Sequence, residues 1–183
     1  MQSDEQLAAH AQQGNAEAYA ELVTRYQQRL FRFLQTRCAS RADAEDALQD
    51  AFVDAWRYLH SYNSRWRFST WLYRIALRRA ARQRNDATPG EQVATDPGGD
   101  PLAVCIAADE RENLWRTARR LLGEDAVTAL WLHSVEGMAI KDIARALQRS
   151  LPWTKVSLMR SRRRLRAALM AQEAASPESE AYG

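Results

Sequence analysis

The chain has 183 residues and a formal net charge of only +3 at neutral pH, which excludes a uniformly basic or acidic protein. This length allows one or two small domains, and an apolar fraction of 46% is sufficient for a core. Cys38 and Cys105 lie far apart with no histidine beside them, and no apolar run is long enough to span a bilayer. The sequence therefore predicts a reduced, cytoplasmic protein without a disulfide scaffold, a bound metal or another cofactor.

Two helices are predicted in the first part of the chain. Ser3 and Gln6 have the spacing of a capping box, which begins a short helix. Gly14 breaks that helix, and Asn15 is a suitable N-cap for the next one. The apolar residues that then keep helical spacing for about four turns are Tyr19, Leu22, Val23, Tyr26, Leu30, Phe33 and Leu34.

An acidic helix begins after Ser40, with five acidic residues and no basic residue between Asp43 and Asp54. One face is apolar and consists of Ala44, Ala47, Leu48, Ala51, Phe52, Ala55, Trp56 and Leu59. Asp46, Gln49 and Asp50 are spaced i, i+3 and i+4, so we expect them to share one solvent-facing patch.

A polar loop and a basic helix, predicted over 71–84, follow the acidic helix. Tyr62 and Trp66 lie in the loop beside Arg65 and Arg67, where exposed aromatic rings suit base stacking, although aromatic residues near helix ends also serve as core. Phe68 and Trp71 are predicted to be core residues.

On the basic helix, Leu72, Ile75 and Ala76 are expected to face inward. Arg74, Arg78 and Arg82 recur every four residues and form one stripe. This stripe is either a solvated face or the cover for an anionic partner.

Beyond residue 86 the pattern changes to a proline- and glycine-rich linker and then to further helices. These helices are predicted over 109–122, 126–135, 140–147 and 151–171, with Gly123 as the left-handed C′ residue of the first. Gln148, Arg149 and Ser150 make a tight turn before the last helix, which carries six cations and no acid between Lys155 and Arg166. A short helix, a three-residue turn and a longer basic helix predict a helix-turn-helix.

The predicted fold is all-α, with two small helical domains joined by a flexible linker. The expected organisation is a helical domain over 1–85, the linker over 86–108, a helix-turn-helix domain over 109–172 and a disordered tail over 173–183. No Ser/His/Asp set, metal-ligand spacing or glycine-rich phosphate loop is present, so we do not expect an enzyme.

Two motifs resemble region 2 of extracytoplasmic-function (ECF) sigma factors, the minimal two-domain members of the sigma-70 family of bacterial transcription initiation factors. The first is the run from Asp43 to Arg57 with Asp46, Gln49 and Asp50, and the second is the run from Phe68 to Ala76. Residues 1–85 carry the resemblance strongly and residues 109–170 more weakly.

The resemblance implies a role for each group of residues. Asp46, Gln49 and Asp50 match the surface that docks on core RNA polymerase. The segments that match −10 promoter contacts hold Tyr62, Arg65, Trp66, Arg67, Arg74, Arg78 and Arg82. The helix-turn-helix would contact the −35 element through Trp153, Lys155, Val156, Ser157, Arg160, Arg163 and Arg164. The family also implies a probable anti-sigma partner.

The departures from the family pattern lie in two places. On the basic helix, Arg78 and Arg82 stand where the family often has Asn and Asp, and the other departures lie in the second domain. The usual Gly-Val-Ser turn is Gln148-Arg149-Ser150, and only Lys155 and Leu158 match the usual start of the recognition helix. Trp153 and Val156 cannot make bidentate hydrogen bonds to bases, although they can pack against thymine methyl groups. We therefore expect the second domain to hold upstream DNA mainly through phosphates.

The expected function is a transcription initiation factor that binds core RNA polymerase and directs it to specific promoters. Two alternatives are a helix-turn-helix regulator that never binds polymerase and a sigma-like adaptor that does not read a −35 element. The acidic patch argues against the first alternative, because it would repel DNA.

Overall fold

The structure is a computed structural model that describes residues 2–86 and 105–175. In these two ranges it contains eight α-helices and one short 3-10 helix and no strand, so the all-α prediction is confirmed. The chain separates into two compact units, Met1–Pro97 and Gly98–Gly183. Most of the predicted linker and of the predicted tail lies outside the described residues.

The first unit contains four helices: α1 (Asp4–Gln12), α2 (Ala16–Gln35), α3 (Arg41–Arg57) and α4 (Phe68–Asp86), with the 3-10 helix at Leu59–Ser61 between α3 and α4. The predicted capping box at Ser3 and Gln6 is present, and a second one joins Ser40 and Asp43 at the start of α3. Asn15 accepts a hydrogen bond from the Ala18 amide at 3.0 Å, as predicted for an N-cap. These caps fix where α1, α2 and α3 begin.

Alanines on α3 allow the other helices to approach it closely. Ala44, Ala47, Ala51 and Ala55 are fully buried, and α3 packs there against α2 and α4. On α4, Leu72 and Ala76 are fully buried and Ile75 is buried, as predicted. The inner face of α3 therefore consists of small side chains. The helical period places its polar residues Asp46, Gln49 and Asp50 on the outer face.

The second unit contains α5 (Cys105–Leu121), α6 (Glu124–Ser134), α7 (Ile140–Ala146) and α8 (Leu151–Ala175). Gly123 follows the end of α5, as predicted, but it is not left-handed: its φ is −67° and its ψ is 158°, so it is extended and acts as the N-cap of α6. The Gly123 carbonyl accepts hydrogen bonds from the Ala126 and Val127 amides, both at 3.0 Å. Because α6 begins directly after it, this glycine has no left-handed turn to make.

The helix-turn-helix is formed by α7, a turn and α8. Gln148 in the turn has a φ of +55°, and the Arg149 amide donates to the Ala144 carbonyl at 2.8 Å. Ser150 accepts a hydrogen bond from the Trp153 amide at 3.2 Å, so it caps α8 as predicted. Thr154, Leu158, Ser161 and Leu165 are buried and hold α8 against the rest of the unit.

Candidate nucleic-acid and protein interfaces

The acidic patch on α3 is solvent-exposed. Asp46, Gln49 and Asp50 are all exposed, on the side of α3 opposite its buried alanines. Asp50 is not a free carboxylate, because Arg79 on α4 approaches it at 3.2 Å. Asp46 forms no ion pair with any described residue, so it is the uncompensated anion of the patch.

Arg79 also binds Asp54, one turn further along α3. Its Nε and Nη2 atoms lie 2.6 and 2.5 Å from Asp54 Oδ2, and the two side chains are only 21% and 14% exposed. The hydrogen bond from Arg79 holds the pKa of Asp54 below its ordinary value. This enclosed pair joins the acidic helix to the basic helix.

Two large apolar side chains extend the acidic patch. Val53 is 47% exposed and Trp56 is 44% exposed, and both lie on the side of α3 that carries Asp46 and Asp50. The prediction that Trp56 lies on the inner apolar face is wrong, and Val53 belongs to no predicted site. Helical spacing from Gln49 and Asp50 would have identified both.

Trp56 rests on Tyr19 of α2, with ring centres 4.8 Å apart. The Tyr19 hydroxyl donates to the Phe52 carbonyl at 2.5 Å, and burial raises the pKa of this hydroxyl. The exposed edge of Trp56 therefore has a fixed position beside the acids.

The two aromatic residues of the loop, Tyr62 and Trp66, differ in burial. Tyr62 is buried, with 5% exposure, and its ring packs against Phe68 and Trp71 at 5.6 and 5.4 Å between centres. Gln12 donates a hydrogen bond to the Tyr62 carbonyl at 2.8 Å. Tyr62 is thus a core residue and offers no ring face to a base, which corrects its expected exposure.

Trp66 is 41% exposed, with Arg65 and Arg67 exposed on either side of it. The Tyr62 hydroxyl donates to the Trp66 carbonyl at 2.6 Å, and burial raises the pKa of this hydroxyl. The Trp66 amide also donates to the Asn63 carbonyl at 3.0 Å. The buried tyrosine therefore fixes the backbone that presents the exposed tryptophan.

The arginines of α4 divide into two groups. Arg78 and Arg82 are exposed and Arg74 is partly buried, with its Nε atom enclosed and lacking a hydrogen-bond partner. In the described ranges none of these three forms an ion pair, whereas Arg79 is neutralised by α3. The predicted stripe therefore exists, and no ion pair with a described residue holds its three guanidinium groups, although Arg82 contributes to the field that lowers the pKa of Asp54.

The predicted residues of α8 do not share one environment. Lys155, Val156, Arg160, Arg163 and Arg164 are exposed, whereas Ser157 and Trp153 are partly buried. The set that lines a cavity of about 400 Å³ between α8 and the α5–α6 junction is Leu122, Gly123, Ala126, Pro152, Trp153, Val156, Ser157, Arg160, Ser161 and Arg164.

Trp153 is held in place from the turn. The guanidinium of Arg149 lies 5.3 Å from the centre of the Trp153 ring and makes hydrogen bonds of 2.6 and 2.8 Å to Asp125. Met159 is 63% exposed, more than the other large apolar side chains of α8, and it is not among the predicted residues. Its i+3 spacing from Val156 was the available signal.

Among the described residues there is no group of three or more His, Cys, Asp or Glu side chains that could bind a metal ion. None of the helices in these ranges has the length and the apolar character needed to cross a bilayer. The features left to explain are therefore surfaces of opposite charge, exposed aromatic and apolar residues, and a helix-turn-helix.

Comparison with known proteins identifies the family of this chain. The family described as Sigma-70 region 2 matches residues 22–88. The ECF RNA polymerase sigma-E factor of Haemophilus influenzae is 31% identical over 175 residues, covering 87% of this chain and 92% of that protein. The RNA polymerase sigma-H factor of Pseudomonas aeruginosa is 29% identical over 182 residues, covering 92% and 94%.

Solved structures give the same result for the fold. CnrH in complex with the cytosolic domain of CnrY is 25% identical, with a TM-score of 0.72, covering 93% of this chain and 99% of that one. The sigma factor RpoE of Bartonella quintana in complex with the anti-sigma factor NepR is 21% identical, with a TM-score of 0.65, covering 85% and 98%. The chain belongs to the ECF sigma factors. It is a transcription initiation factor, and sigma factors are not enzymes.

Proposed function

We propose that the first unit binds core RNA polymerase through α3 and the −10 promoter region through α4 and its preceding loop. In this proposal residues 1–85 form the polymerase- and −10-binding domain, and residues 109–172 form the domain that contacts upstream DNA. Residues 86–108 link the two, and residues 173–183 form a tail. The observation that carries the proposal is the separation of exposed acids and exposed arginines onto neighbouring helices of one unit.

The acidic patch requires a protein partner rather than DNA. Asp46, Asp50 and Gln49 would face the phosphates of any DNA placed against them, and like charges at close range cost free energy. Val53 and Trp56 add exposed apolar area beside these acids. An apolar centre next to charged residues is typical of a protein interface. A basic helical surface on core polymerase fits this patch.

The arginine stripe and Trp66 fit melted promoter DNA. Arg78 and Arg82 offer exposed cations to phosphates, and the exposed part of the Trp66 ring offers a surface on which an unpaired base can stack. The backbone of Trp66 is fixed by Tyr62, so little conformational freedom is lost when the ring is covered. Arg65 and Arg67 beside it would hold the adjacent phosphates.

The cations of α8 support a contact with upstream DNA. Lys155, Arg160, Arg163 and Arg164 are exposed, and within the described ranges no ion pair neutralises them. Such cations bind phosphates whatever the sequence, so we expect α8 to contribute affinity upstream and the −10 contacts to contribute most of the specificity.

An anti-sigma protein is a further proposed partner. Both similar solved structures hold their sigma-factor chain in complex with a second protein. Such a protein would prevent polymerase binding if it covered the α3 patch. It would act in the cytoplasm, where polymerase is found.

Transcription with purified bacterial core polymerase tests the proposal. Asp46→Arg should abolish transcription from a promoter library and reduce binding of core polymerase, since close interfacial charge pairs are each worth about 1.5–7 kcal/mol. Glu17→Arg is the control, because Glu17 is an exposed acid on α2 that forms no ion pair with a described residue and undergoes the same change of charge. Equal binding of polymerase by the two variants would contradict the assignment of the patch.

A further inference from the structure

The outward face of α8 has a pattern that phosphate binding does not explain. The buried residues Thr154, Leu158, Ser161 and Leu165 define the inner face. Directly opposite, at steps of three and four, come Val156, Met159 and Arg163. Val156 is 40% exposed and Met159 is 63% exposed, so the first turns of the helix present an apolar ridge to solvent.

Cations lie along both sides of this ridge. Lys155 and Arg162 are on one side, and Arg160 and Arg164 are on the other. All four are exposed, and none forms an ion pair with a residue that the structure describes. No acidic residue occurs between 151 and 172. Two cationic rows with an apolar ridge between them need a partner that is anionic along both edges and apolar at its centre.

The major groove of DNA has this arrangement. It is about 12 Å wide and admits one α-helix, with a phosphate backbone along each edge and base edges on its floor. Met159 and Val156 have neither donors nor acceptors strong enough to read base hydrogen bonds. The one apolar group that a base edge presents in this groove is the C5-methyl of thymine.

The other candidate reader is turned away from this face. Trp153 and Val156 both line the cavity beside α5 and α6, but Val156 is 40% exposed, whereas Trp153 is partly buried and its ring is covered by Arg149, which Asp125 holds. A base contact by Trp153 would require this arrangement to break. Met159 requires no rearrangement, because its side chain is already exposed.

We propose that Met159, supported by Val156, recognises thymine methyl groups in the upstream promoter element. This inference rests on the proposed contact between α8 and upstream DNA and names the base chemistry that the contact detects. Each methyl group that is covered should contribute about fourfold in affinity, corresponding to the roughly 0.8 kcal/mol gained on burying one methylene. This preference is weaker than that of a bidentate hydrogen-bonded pair.

Deoxyuridine provides the test, because it lacks the methyl group and keeps the base-pairing and hydrogen-bonding groups of thymine. Holoenzyme would select from synthetic promoters with a randomised upstream window and a fixed −10 region taken from a promoter it transcribes. We expect thymine to be enriched at one or more upstream positions. Replacement of each such thymine by deoxyuridine should then lower affinity about fourfold.

Two variants assign this effect to the ridge. Met159→Gln should lose both the thymine enrichment and the deoxyuridine effect. Met170→Gln is the matched control: Met170 is 58% exposed on the same face of α8 and lies about 16 Å further along the helix. It should keep both properties, because only the N-terminal turns of a recognition helix reach base edges.

Three outcomes would overturn the proposal. If enriched thymines tolerate deoxyuridine, or if Met159→Gln keeps the deoxyuridine effect, the methyl readout is wrong although α8 still contacts DNA. If the wild type enriches no upstream base and binds equally well without upstream DNA, the DNA contact itself is wrong. If Met159→Gln weakens binding to core polymerase in the absence of DNA and deoxyuridine has no effect, the ridge is a protein contact.

Discussion

Replacement of Arg79 by methionine tests the pair that joins α3 to α4. The variant keeps the aliphatic part of the side chain and removes the guanidinium, so Asp54 retains a carboxylate at 14% exposure without its partner. Exposed pairs are worth about 0.2–1 kcal/mol, and loss of one partner from a buried pair costs about 3–5 kcal/mol. For this enclosed but not fully buried pair we expect a loss of about 2 kcal/mol.

Hydrogen–deuterium exchange measures this loss in the first unit alone. A loss of about 2 kcal/mol should speed exchange of α3 and α4 amides about 30-fold at neutral pH. Amides of α6 to α8 should be unchanged and serve as the internal reference. Arg78→Met is the control variant, because Arg78 is exposed on the same helix and makes no ion pair with a described residue.

The effect of Arg79 should also depend on pH. Asp54 has a lowered pKa in the folded state, and an aspartate in the unfolded chain titrates near 3.9, to a first approximation. The stabilisation is therefore complete above about pH 4 and is lost as the pH falls through the folded pKa. A gap in Tm between the wild type and Arg79→Met that does not narrow as the pH falls below about 4 would refute this reasoning. An exchange difference of less than threefold at neutral pH would also refute it.

Two further substitutions test the loop and the turn. Trp66→Ala should impair open-complex formation by about 1–3 kcal/mol, because the stacking of a base is lost. Permanganate reactivity measures this effect. Tyr58→Ala is the control, at an exposed site outside the loop, and should leave open-complex formation unchanged. Gln148→Gly should stabilise the second unit by about 1 kcal/mol, because Gln148 has a φ of +55°, which strains residues other than glycine. Exchange of α7 and α8 amides should then slow about fivefold, and unchanged exchange would exclude strain at this turn.

Helix positions and caps could be predicted because their signals are local. The alanines of α3 recur with the helical period, and Ser40 and Asp43 satisfy each other's amides within four residues. Gly123 shows where local reasoning fails. A glycine after a helix suits both a left-handed C′ position and an extended link to the next helix, and only the start of α6 at Glu124 decides between them.

Tyr62 and Trp66 could not be distinguished from the sequence, because a loop has no period to show which side chains face inward. The difference comes from residues distant in the chain. Gln12 binds the Tyr62 backbone, and the Phe68 and Trp71 rings enclose the Tyr62 ring. The exposed apolar residues Val53 and Met159 belong to no predicted site, although helical spacing places both on outer faces.

The two acids of the α3 patch could not be distinguished from the sequence either. Asp46 and Asp50 have equivalent positions in the sequence pattern, but Arg79 lies 3.2 Å from Asp50, and Asp46 has no ion-pair partner among the described residues. A carboxylate that is already paired gains less from a basic polymerase surface, because it must share its charge or give up the first partner. Asp46→Ser should therefore weaken binding to core polymerase more than Asp50→Ser in a titration at low salt. Equal losses would mean that Arg79 releases Asp50 when polymerase binds.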